Sequence, residues 1–276
     1  MTIKHIVSLS GGIGSYETLK RVIAKEGKEN IIAVFCDTMN EDGDLYRFLS
    51  DIENHLGIVI TRLATGKDPW QLCFENKFLF NSRVALCSRI LKTQLFNDWL
   101  RENFAPNDCV LYLGIDFTES HRKEAIVKGY APYKVEFPMC DKPYIYKYEM
   151  IDELKNEGIK IPRLYELGFA HNNCGGACFK AGIASWKNLL EKDRIKFLEC
   201  EDKEEVFRKR SGKDVSILKR SGKPFTLRQL REAVDSAPEQ LSLFDDEEVG
   251  GCGCFVGDFD NENNKGENDE KGKQGT

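Results

Sequence analysis

The chain has 276 residues and a formal net charge of −5, and 41% of its residues are hydrophobic. This length allows one large domain with an appendage, and the apolar content is sufficient for a substantial core. The sequence contains no run of eighteen apolar residues and no leader pattern, so it predicts a cytoplasmic protein without a membrane span. Ten cysteines in that compartment favour metal ligands, redox groups or buried apolar side chains over structural disulfides.

The charge is distributed unevenly along the chain. From residue 237 onward there are eleven acidic and three basic residues, which leaves a net charge of +3 for residues 1–236. The sequence therefore lacks the strong basic stripe of an extensive nucleic-acid surface, and only a local basic patch stays open as an alternative. Residues 237–276 contain few apolar side chains, and we expect them to be disordered around an island that includes Cys252 and Cys254.

A glycine-rich turn follows the first apolar segment. Residues 6–9 indicate a short buried strand, and helical spacing begins near residue 15. Glycines allow the main chain to approach an anion closely, and the first N–H groups of a helix have no partner within it. The turn therefore predicts a phosphate site, with an ordinary strand-to-helix turn as the alternative. The residues concerned are Ser10, Gly11, Gly12, Gly14 and Ser15.

Strands and helices alternate through the first half of the chain. Residues 31–36, 58–60 and 110–115 predict further strands, and residues 45–56, 88–104 and 118–128 predict helices. Such βαβ units form a parallel sheet with helices on both faces. Ligands bind at the carboxyl ends of the strands in these sheets. We therefore expect Gly12, Asp37 and Asp116, which each follow a predicted strand, to lie in one crevice.

The alternation ends at residue 138. Helices are predicted for residues 147–156, 185–197 and 226–234, and a cysteine-bearing loop separates the first two. Thr226 has the side chain of a helix cap. The second half of the chain is thus expected to be a helical region that packs on the sheet.

Five short segments carry a resemblance to a known family. They are SGGIGS at 10–15, CDT at 36–38 with Glu41 and LYRF at 45–48, CSRILK at 87–92, GID at 114–116 with ESHR at 119–122, and PRLYELGF at 162–169 leading to Cys174 and Cys178. In order and spacing they resemble the adenine-nucleotide α-hydrolase (PP-loop) superfamily. Within it, they are similar to the phage and bacterial proteins of the phosphoadenosine phosphosulfate reductase-like family.

The resemblance implies an adenine nucleotide or sulfonucleotide at the glycine loop. Asp37 and Asp116, each at a predicted strand end, are candidates for ribose or Mg²⁺ contacts, with a helix cap or a solvated loop as the alternative. The resemblance adds Thr38, Lys92 and Gly114 as nucleotide contacts. It also implies a division into an α/β nucleotide-binding domain (1–137), a helical cysteine-loop region that completes the site (138–236) and an acidic tail (237–276). Arg122 is then a candidate for holding phosphate or sulfate oxygens during catalysis.

The resemblance further implies a 4Fe-4S cluster held by Cys87, Cys140, Cys174 and Cys178. Four thiolates also suit zinc, so these residue types do not distinguish the two metals. The tail cysteines, Cys252 and Cys254, stand where the family has a nucleophilic cysteine motif, and they are our candidate nucleophiles.

Gly14 is a departure from the family, because many members that cleave ATP have an aspartate at this position. The departure favours a sulfonucleotide ligand. We therefore expect a reductase-like enzyme that is turned over by a thioredoxin-like reductant. The alternatives are an ATP-dependent sulfurtransferase or ligase that modifies tRNA, DNA or a small molecule, and a non-catalytic nucleotide or metal sensor.

Overall fold

A five-stranded parallel sheet forms the centre of the protein, which is a computed structural model that describes residues 2–81 and 83–236. The strand order is β3-β2-β1-β4-β5, and every neighbouring pair is parallel. The predicted α/β class is therefore confirmed. The predicted acidic tail, with Cys252 and Cys254, lies outside the described residues. The strands are β1 (Lys4–Leu9), β2 (Ile31–Asp37), β3 (Ile60–Ala64), β4 (Cys109–Leu113) and β5 (Lys134–Glu136).

Eleven α-helical segments are found among the described residues, together with one π-helical turn at Arg89–Gln94 and short 3₁₀ turns. The segment 147–156 was predicted with the bounds that it has in the structure. The helices are α1 (Ile13–Glu26), α2 (Gly43–Leu56), α3 (Pro69–Glu75), α4 (Leu86–Ser88), α5 (Leu95–Asn103), α6 (Lys123–Tyr130), α7 (Lys147–Asn156), α8 (Arg163–Glu166), α9 (Ile183–Lys192), α10 (Arg194–Ser211) and α11 (Leu227–Ser236).

Helices cover both faces of the sheet. Alternate residues of each strand point to opposite sides, and apolar side chains on both sides pack against helices. Val7 of β1 packs with residues of α1, α2 and α7, whereas Ile6 packs with residues of α5 and α6. Both side chains are fully buried. Burial of this kind contributes roughly 1.5–3 kcal/mol for each large aliphatic side chain. The central strands are thus held from two sides, and their carboxyl ends are fixed in position.

The third strand begins at Ile60, two residues later than predicted. The Ile58 N–H donates to the carbonyl of Glu53 at 3.2 Å, so Ile58 still completes the end of α2. Gly57 between them has a left-handed conformation (φ 62°) that glycine adopts without strain. The apolar residue at 58 therefore belongs to a helix cap rather than to the strand.

The predicted single helix at 185–197 is two helices, α9 and α10. Asp193 interrupts them with an extended φ of −143°, and its side chain accepts a hydrogen bond from the Lys196 N–H at 3.1 Å. This carboxylate caps the start of α10. The two helices enclose a separate apolar core with α3 and α11, in which Trp186 and Phe197 are fully buried.

The C-terminal helices are completed by a small antiparallel hairpin of β6 (Leu218–Arg220) and β7 (Lys223–Phe225), which the sequence did not predict. Glu204 of α10 is completely buried and accepts hydrogen bonds from the N–H groups of Ile217 (2.8 Å) and Leu227 (2.7 Å). One carboxylate thereby joins α10 to the residue before the hairpin and to the first residue of α11.

The predicted helix at 88–104 contains the π-helical turn. The helical pattern predicts four inward side chains, of which Leu91 and Leu100 are fully buried. Leu95 and Trp99 are only partly buried, and Phe96 is fully buried instead. The turn also buries Lys92, which is 2% exposed. Lys92 is thus buried in the same segment as Phe96 and Leu100.

Within the described residues, no helix is both long enough and apolar enough to cross a membrane.

Candidate nucleotide site

A cavity lies at the carboxyl ends of β1 and β4, where the sequence analysis expects a ligand. One wall is the glycine loop with the first turn of α1, and a second wall is the segment after β4. The third wall comes from residues 170–173 together with Lys147 of α7. Of the predicted nucleotide-contacting residues, Ser10, Gly12, Gly14, Ser15, Lys92, Gly114 and Asp116 line the cavity, as does Arg122.

The glycine loop is held by its own side chains. The Ser15 hydroxyl donates to the Gly12 carbonyl at 2.8 Å, and the Ser10 N–H donates to the Ser15 oxygen at 3.2 Å. Gly11 has a φ of +78°, and a Cβ at this position would lie 2.6 Å from Leu45 Cδ1. Glycine is therefore required at this position for two reasons: its positive φ, and the lack of room for a Cβ. Gly12 begins α1 without any side-chain cap.

The hydroxyl of Tyr165 lies at the N-terminal end of α1. It accepts a hydrogen bond from the Ile13 N–H at 3.3 Å, so it stands where an anion would meet the positive end of the helix. The Lys147 ammonium lies 4.5 Å from the centre of the Tyr165 ring and donates to the carbonyl of Ala170. Tyr165 belongs to the segment PRLYELGF at 162–169, but it was not among the predicted site residues.

The wall after β4 approaches the glycine loop closely. A Cβ at Gly114 would lie 3.0 Å from Thr18 Oγ1 and 3.1 Å from Ser15 Cα, so a larger residue would separate the two walls. Asp116 accepts hydrogen bonds from the N–H and the hydroxyl of Thr118, which fixes the start of the next turn. Arg122 pairs with Glu119 at 2.5 Å.

The hydroxyl of Ser8 and the side-chain oxygen of Asn172 are buried beside the cavity and have no hydrogen-bond partner among residues 2–81 and 83–236. The amide nitrogen of Asn172 donates to the Gly11 carbonyl at 2.7 Å, which ties the third wall to the glycine loop. A buried polar group without a partner costs about 1–3 kcal/mol. Both atoms are therefore suited to ligand contact, and the sequence analysis named neither.

The surroundings of His171 and Lys147 disfavour their protonated forms. Desolvation lowers the pKa of His171, and the neighbouring Lys147 and Arg122 lower it further, against the opposing effect of Glu119 and Cys178. Desolvation also lowers the pKa of Lys147, although this side chain keeps contact with solvent. A bound anion would reverse both shifts, because it favours the protonated forms.

Lys92 reaches the cavity as part of a buried ion pair. Its ammonium lies 3.5 Å from Glu41 Oε1, and neither side chain has more than 2% of its surface exposed. The Thr38 hydroxyl donates to the same oxygen at 2.8 Å, and the Cys174 N–H donates to the other. Glu41 thus connects three segments: its own loop, the π-helical turn and the cysteine loop.

Asp37 and Thr38 do not line the cavity. One oxygen of Asp37 accepts hydrogen bonds from the Met39 N–H (2.8 Å) and the Tyr46 hydroxyl (2.9 Å), so it shapes the turn between β2 and α2. The predicted crevice therefore contains Gly12 and Asp116 but not Asp37. Gly11 is also absent from the lining, since it supports the loop through its contact with Leu45.

The four cysteines that the resemblance implies as cluster ligands have different surroundings within residues 2–81 and 83–236. Cys174 and Cys178 are hydrogen-bonded to each other. Cys140 donates to the carbonyls of Ile115 (3.3 Å) and Asp116 (3.4 Å), whereas Cys87 packs against the C-terminal apolar core. Over residues 2–81 and 83–236, no three His, Cys, Asp or Glu side chains are arranged to hold a metal ion. The 4Fe-4S cluster and its zinc alternative therefore stay predictions.

The thiol of Cys174 is poorly suited to ionisation. Its pKa is raised well above the usual value by the hydrogen bond with Cys178, by burial and by the charge of Glu41, while Lys92 opposes these effects. Burial likewise raises the pKa of Cys36 and Cys73 to about 12. The latter two behave as the buried apolar side chains that their positions suggest.

Comparison of the sequence with protein-family profiles gives no match. An uncharacterized protein of Methanocaldococcus jannaschii is 29% identical over 178 residues, which cover 61% of this chain and 35% of that protein. The chain thus spans about a third of the relative's length. Among solved structures, a phosphoadenylyl-sulfate (PAPS) reductase from Candida auris in complex with phosphate has a TM-score of 0.44 and 12% identity, over 60% of this chain and 78% of that chain.

Proposed function

We propose that the cavity binds an adenine nucleotide or sulfonucleotide and that the protein is a phosphoadenosine phosphosulfate reductase-like enzyme. The observation that supports this best is the uncapped start of α1 at the glycine loop, which lines a cavity with Lys92, Arg122 and Lys147. A helix start of this kind binds phosphate oxygens through main-chain N–H groups. The three cationic side chains would then balance the remaining negative charge.

Ligand binding would rearrange two contacts. A phosphate oxygen at the start of α1 would replace the Tyr165 hydroxyl as acceptor for the Ile13 N–H. Arg122 would exchange its pairing with Glu119 for the anion, where its planar fork can form two parallel hydrogen bonds. Ser8 and Asn172 would supply the buried hydrogen-bonding atoms for the uncharged parts of the ligand.

The reductase-like reaction needs a thiolate that attacks the sulfonate sulfur. A sulfur–sulfur bond forms, the bond from that sulfur to the phosphate oxygen breaks, and its electron pair leaves with the nucleotide. The proposal assigns this thiolate to Cys252 or Cys254, which lie outside the described residues. A thioredoxin-like dithiol would then reduce the adduct and release sulfite.

An ATP-dependent sulfurtransferase or ligase is the second candidate. Asp116 and Glu119 line the cavity, and carboxylates beside a phosphate site are suited to Mg²⁺. In that reaction ATP would adenylate a substrate oxygen and release pyrophosphate. The products therefore distinguish the candidates, since the reductase-like reaction releases sulfite and a nucleotide without pyrophosphate.

The test is calorimetric titration with 3′-phosphoadenosine 5′-phosphosulfate and with ATP, followed by product analysis. Arg122→Gln should weaken binding about tenfold or more, because a charge-assisted hydrogen bond contributes roughly 1.5–3 kcal/mol. Arg101→Gln on the exposed side of α5 is the matched control and should bind as the wild type does. Failure of the wild type to bind either nucleotide, or equal binding by the two variants, would contradict the proposal.

A further inference from the structure

Positive charge is concentrated in one stretch of the chain that does not line the cavity. Residues 206–226 contain seven basic side chains and one acidic side chain, so their net charge is +6. This leaves a net charge of −3 for the other residues up to 236. The basic residues are Arg208, Lys209, Arg210, Lys213, Lys219, Arg220 and Lys223, and the acidic residue is Asp214.

The fold brings the two halves of this stretch together. Three of the basic residues lie in the last turn of α10, and three others lie in the β6–β7 hairpin. Arg208 donates to the Val215 carbonyl and pairs with Asp214 at 3.0 Å, so the loop between helix and hairpin is attached to the end of α10. Glu204 holds the residues on both sides of the hairpin, as described above. We call the surface formed by residues 208–213 and 219–223 the basic surface.

The lysines of the basic surface are accessible and keep their charge uncompensated. Lys209, Lys213 and Lys223 are exposed, and Lys219 is partly exposed. None of these four lysines forms an ion pair within residues 2–81 and 83–236. The one acidic side chain of the stretch is paired with Arg208 instead. The surface therefore presents positive charge that a bound anion could neutralise.

Two arginines of the basic surface lie over aromatic rings. The guanidinium carbon of Arg210 is 5.3 Å from the centre of the Phe74 ring, and that of Arg220 is 5.6 Å from the centre of the Phe225 ring. Such contacts restrict the orientation of the planar guanidinium group. Phe207 and Phe225, the aromatic residues of the stretch itself, are both buried, so residues 206–226 present no ring on which an unpaired base could stack.

We propose that the basic surface binds the phosphate backbone of a double-stranded nucleic acid. A duplex carries one negative charge for about every 1.7 Å of its axis, and lysines and arginines that neutralise its phosphates release bound counterions. Contacts of this kind position a protein on a duplex without reading its sequence. The inference goes beyond the nucleotide proposed for the cavity, and it would give the second candidate function a macromolecular substrate.

The test is fluorescence anisotropy of a labelled duplex of about 20 base pairs, titrated with the full chain at salt concentrations from about 50 to 200 mM. No adenine nucleotide is added, so the result is independent of the function proposed for the cavity. We expect the logarithm of the binding constant to fall linearly with the logarithm of the salt concentration, and two duplexes of unrelated sequence to bind equally well. DNA and RNA duplexes of one sequence show which of the two binds more tightly.

Two double variants locate the binding. Lys219→Gln/Lys223→Gln removes two charges from the hairpin and should make the salt slope shallower by about two, because each phosphate contact contributes about 0.9. Lys128→Gln/Lys134→Gln removes two equally charged side chains from α6 and β5, which are 74% and 67% exposed, and should keep the wild-type slope. The proposal is overturned if neither duplex binds at the lowest salt concentration or if the two variants change the slope equally. It is also overturned if single strands or vesicles of anionic phospholipid bind more tightly than both duplexes.

Discussion

Two regions of the molecule each contain a fully enclosed glutamate, and they accommodate its charge in different ways. Glu41, in the wall of the cavity, has the Lys92 ammonium 3.5 Å away. Glu204, in the C-terminal helices, has no ion pair among the described residues, and its oxygens accept from two main-chain N–H groups. Burial raises the pKa of Glu204 to about 7, although the two N–H groups and Arg208 oppose this shift.

The comparison distinguishes a buried carboxylate that holds a charged side chain at the cavity from one that only connects parts of the main chain. A buried ion pair contributes little net stability, but the loss of one partner leaves an uncompensated charge. The pair of Glu41 and Lys92 therefore keeps a charged lysine beside the cavity, but the loss of either partner would destabilise the fold. Glu204 has no such task, and it connects main-chain segments that would otherwise leave two N–H groups without acceptors.

Removal of the cation should give the largest effect. Lys92→Met leaves Glu41 buried without its partner, and we expect a loss of about 3–5 kcal/mol in the free energy of unfolding, measured with urea. Lys128→Met is the control, because the Lys128–Glu124 pair is at least 74% exposed and its loss should hardly change the free energy of unfolding. The double variant Glu41→Gln/Lys92→Met should recover part of the loss. Equal losses in Lys92→Met and Lys128→Met would contradict the view that Glu41 depends on a buried cation.

The second prediction concerns the pH dependence of Glu204. Its folded-state pKa of about 7 is higher than the ordinary value of 4.5, so the unfolded state loses this proton first as the pH rises. The stability due to this group should be complete below pH 4.5 and should fall by roughly 3 kcal/mol as the pH passes through 7.

Glu204→Gln removes the titration. The difference in the free energy of unfolding between wild type and variant should therefore decrease from pH 4.5 to pH 7, as measured by urea unfolding at a series of pH values. Glu199→Gln, on the exposed face of α10, is the control and should follow the wild type. A difference that stays constant or increases with pH would show that Glu204 is ionised in the folded state.

The smallest effect is expected at the start of α11, where Glu204 and a helix cap act on neighbouring residues. The Thr226 hydroxyl accepts from the Gln229 N–H at 3.1 Å, and the Gln229 side chain accepts from the Thr226 N–H at 2.8 Å. Thr226→Ala should lower the free energy of unfolding by about 1 kcal/mol. Ser236→Ala at the other end of α11 should have little effect. A change near zero for Thr226→Ala would mean that Glu204 alone fixes this helix start.

The sheet and the glycine loop could be predicted because their signals are local. Val7 and Leu9 show a buried strand, and the glycines directly after them mark the turn. Tyr165 and Asn172 reach the same loop from more than 150 residues away, and no periodicity relates such distant positions. A cue for Tyr165 was nevertheless present, since it belongs to one of the five family segments.

The cysteines illustrate the limit of a resemblance. The resemblance implies that four of them converge, and within the described residues no three His, Cys, Asp or Glu side chains are arranged to hold a metal ion. Cys140 and Cys87 have local environments that their own sequence neighbours do not indicate, a pair of carbonyls in one case and an apolar core in the other. The iron–sulfur cluster thus stays an untested expectation, as do the roles of Cys252 and Cys254.

The π-helical turn at Arg89–Gln94 also bears on the cooperativity of the whole molecule. An α-helix advances about 100° per residue, so the change of phase at this turn lets one continuous segment serve two different cores. Leu91 within the turn packs with the C-terminal helices, and Phe96 after the turn packs against the sheet. If either core opens, the segment that carries Lys92 must move as well. The amide protons on both sides of the turn should therefore exchange with solvent together, although the side chains of these residues pack in separate apolar clusters.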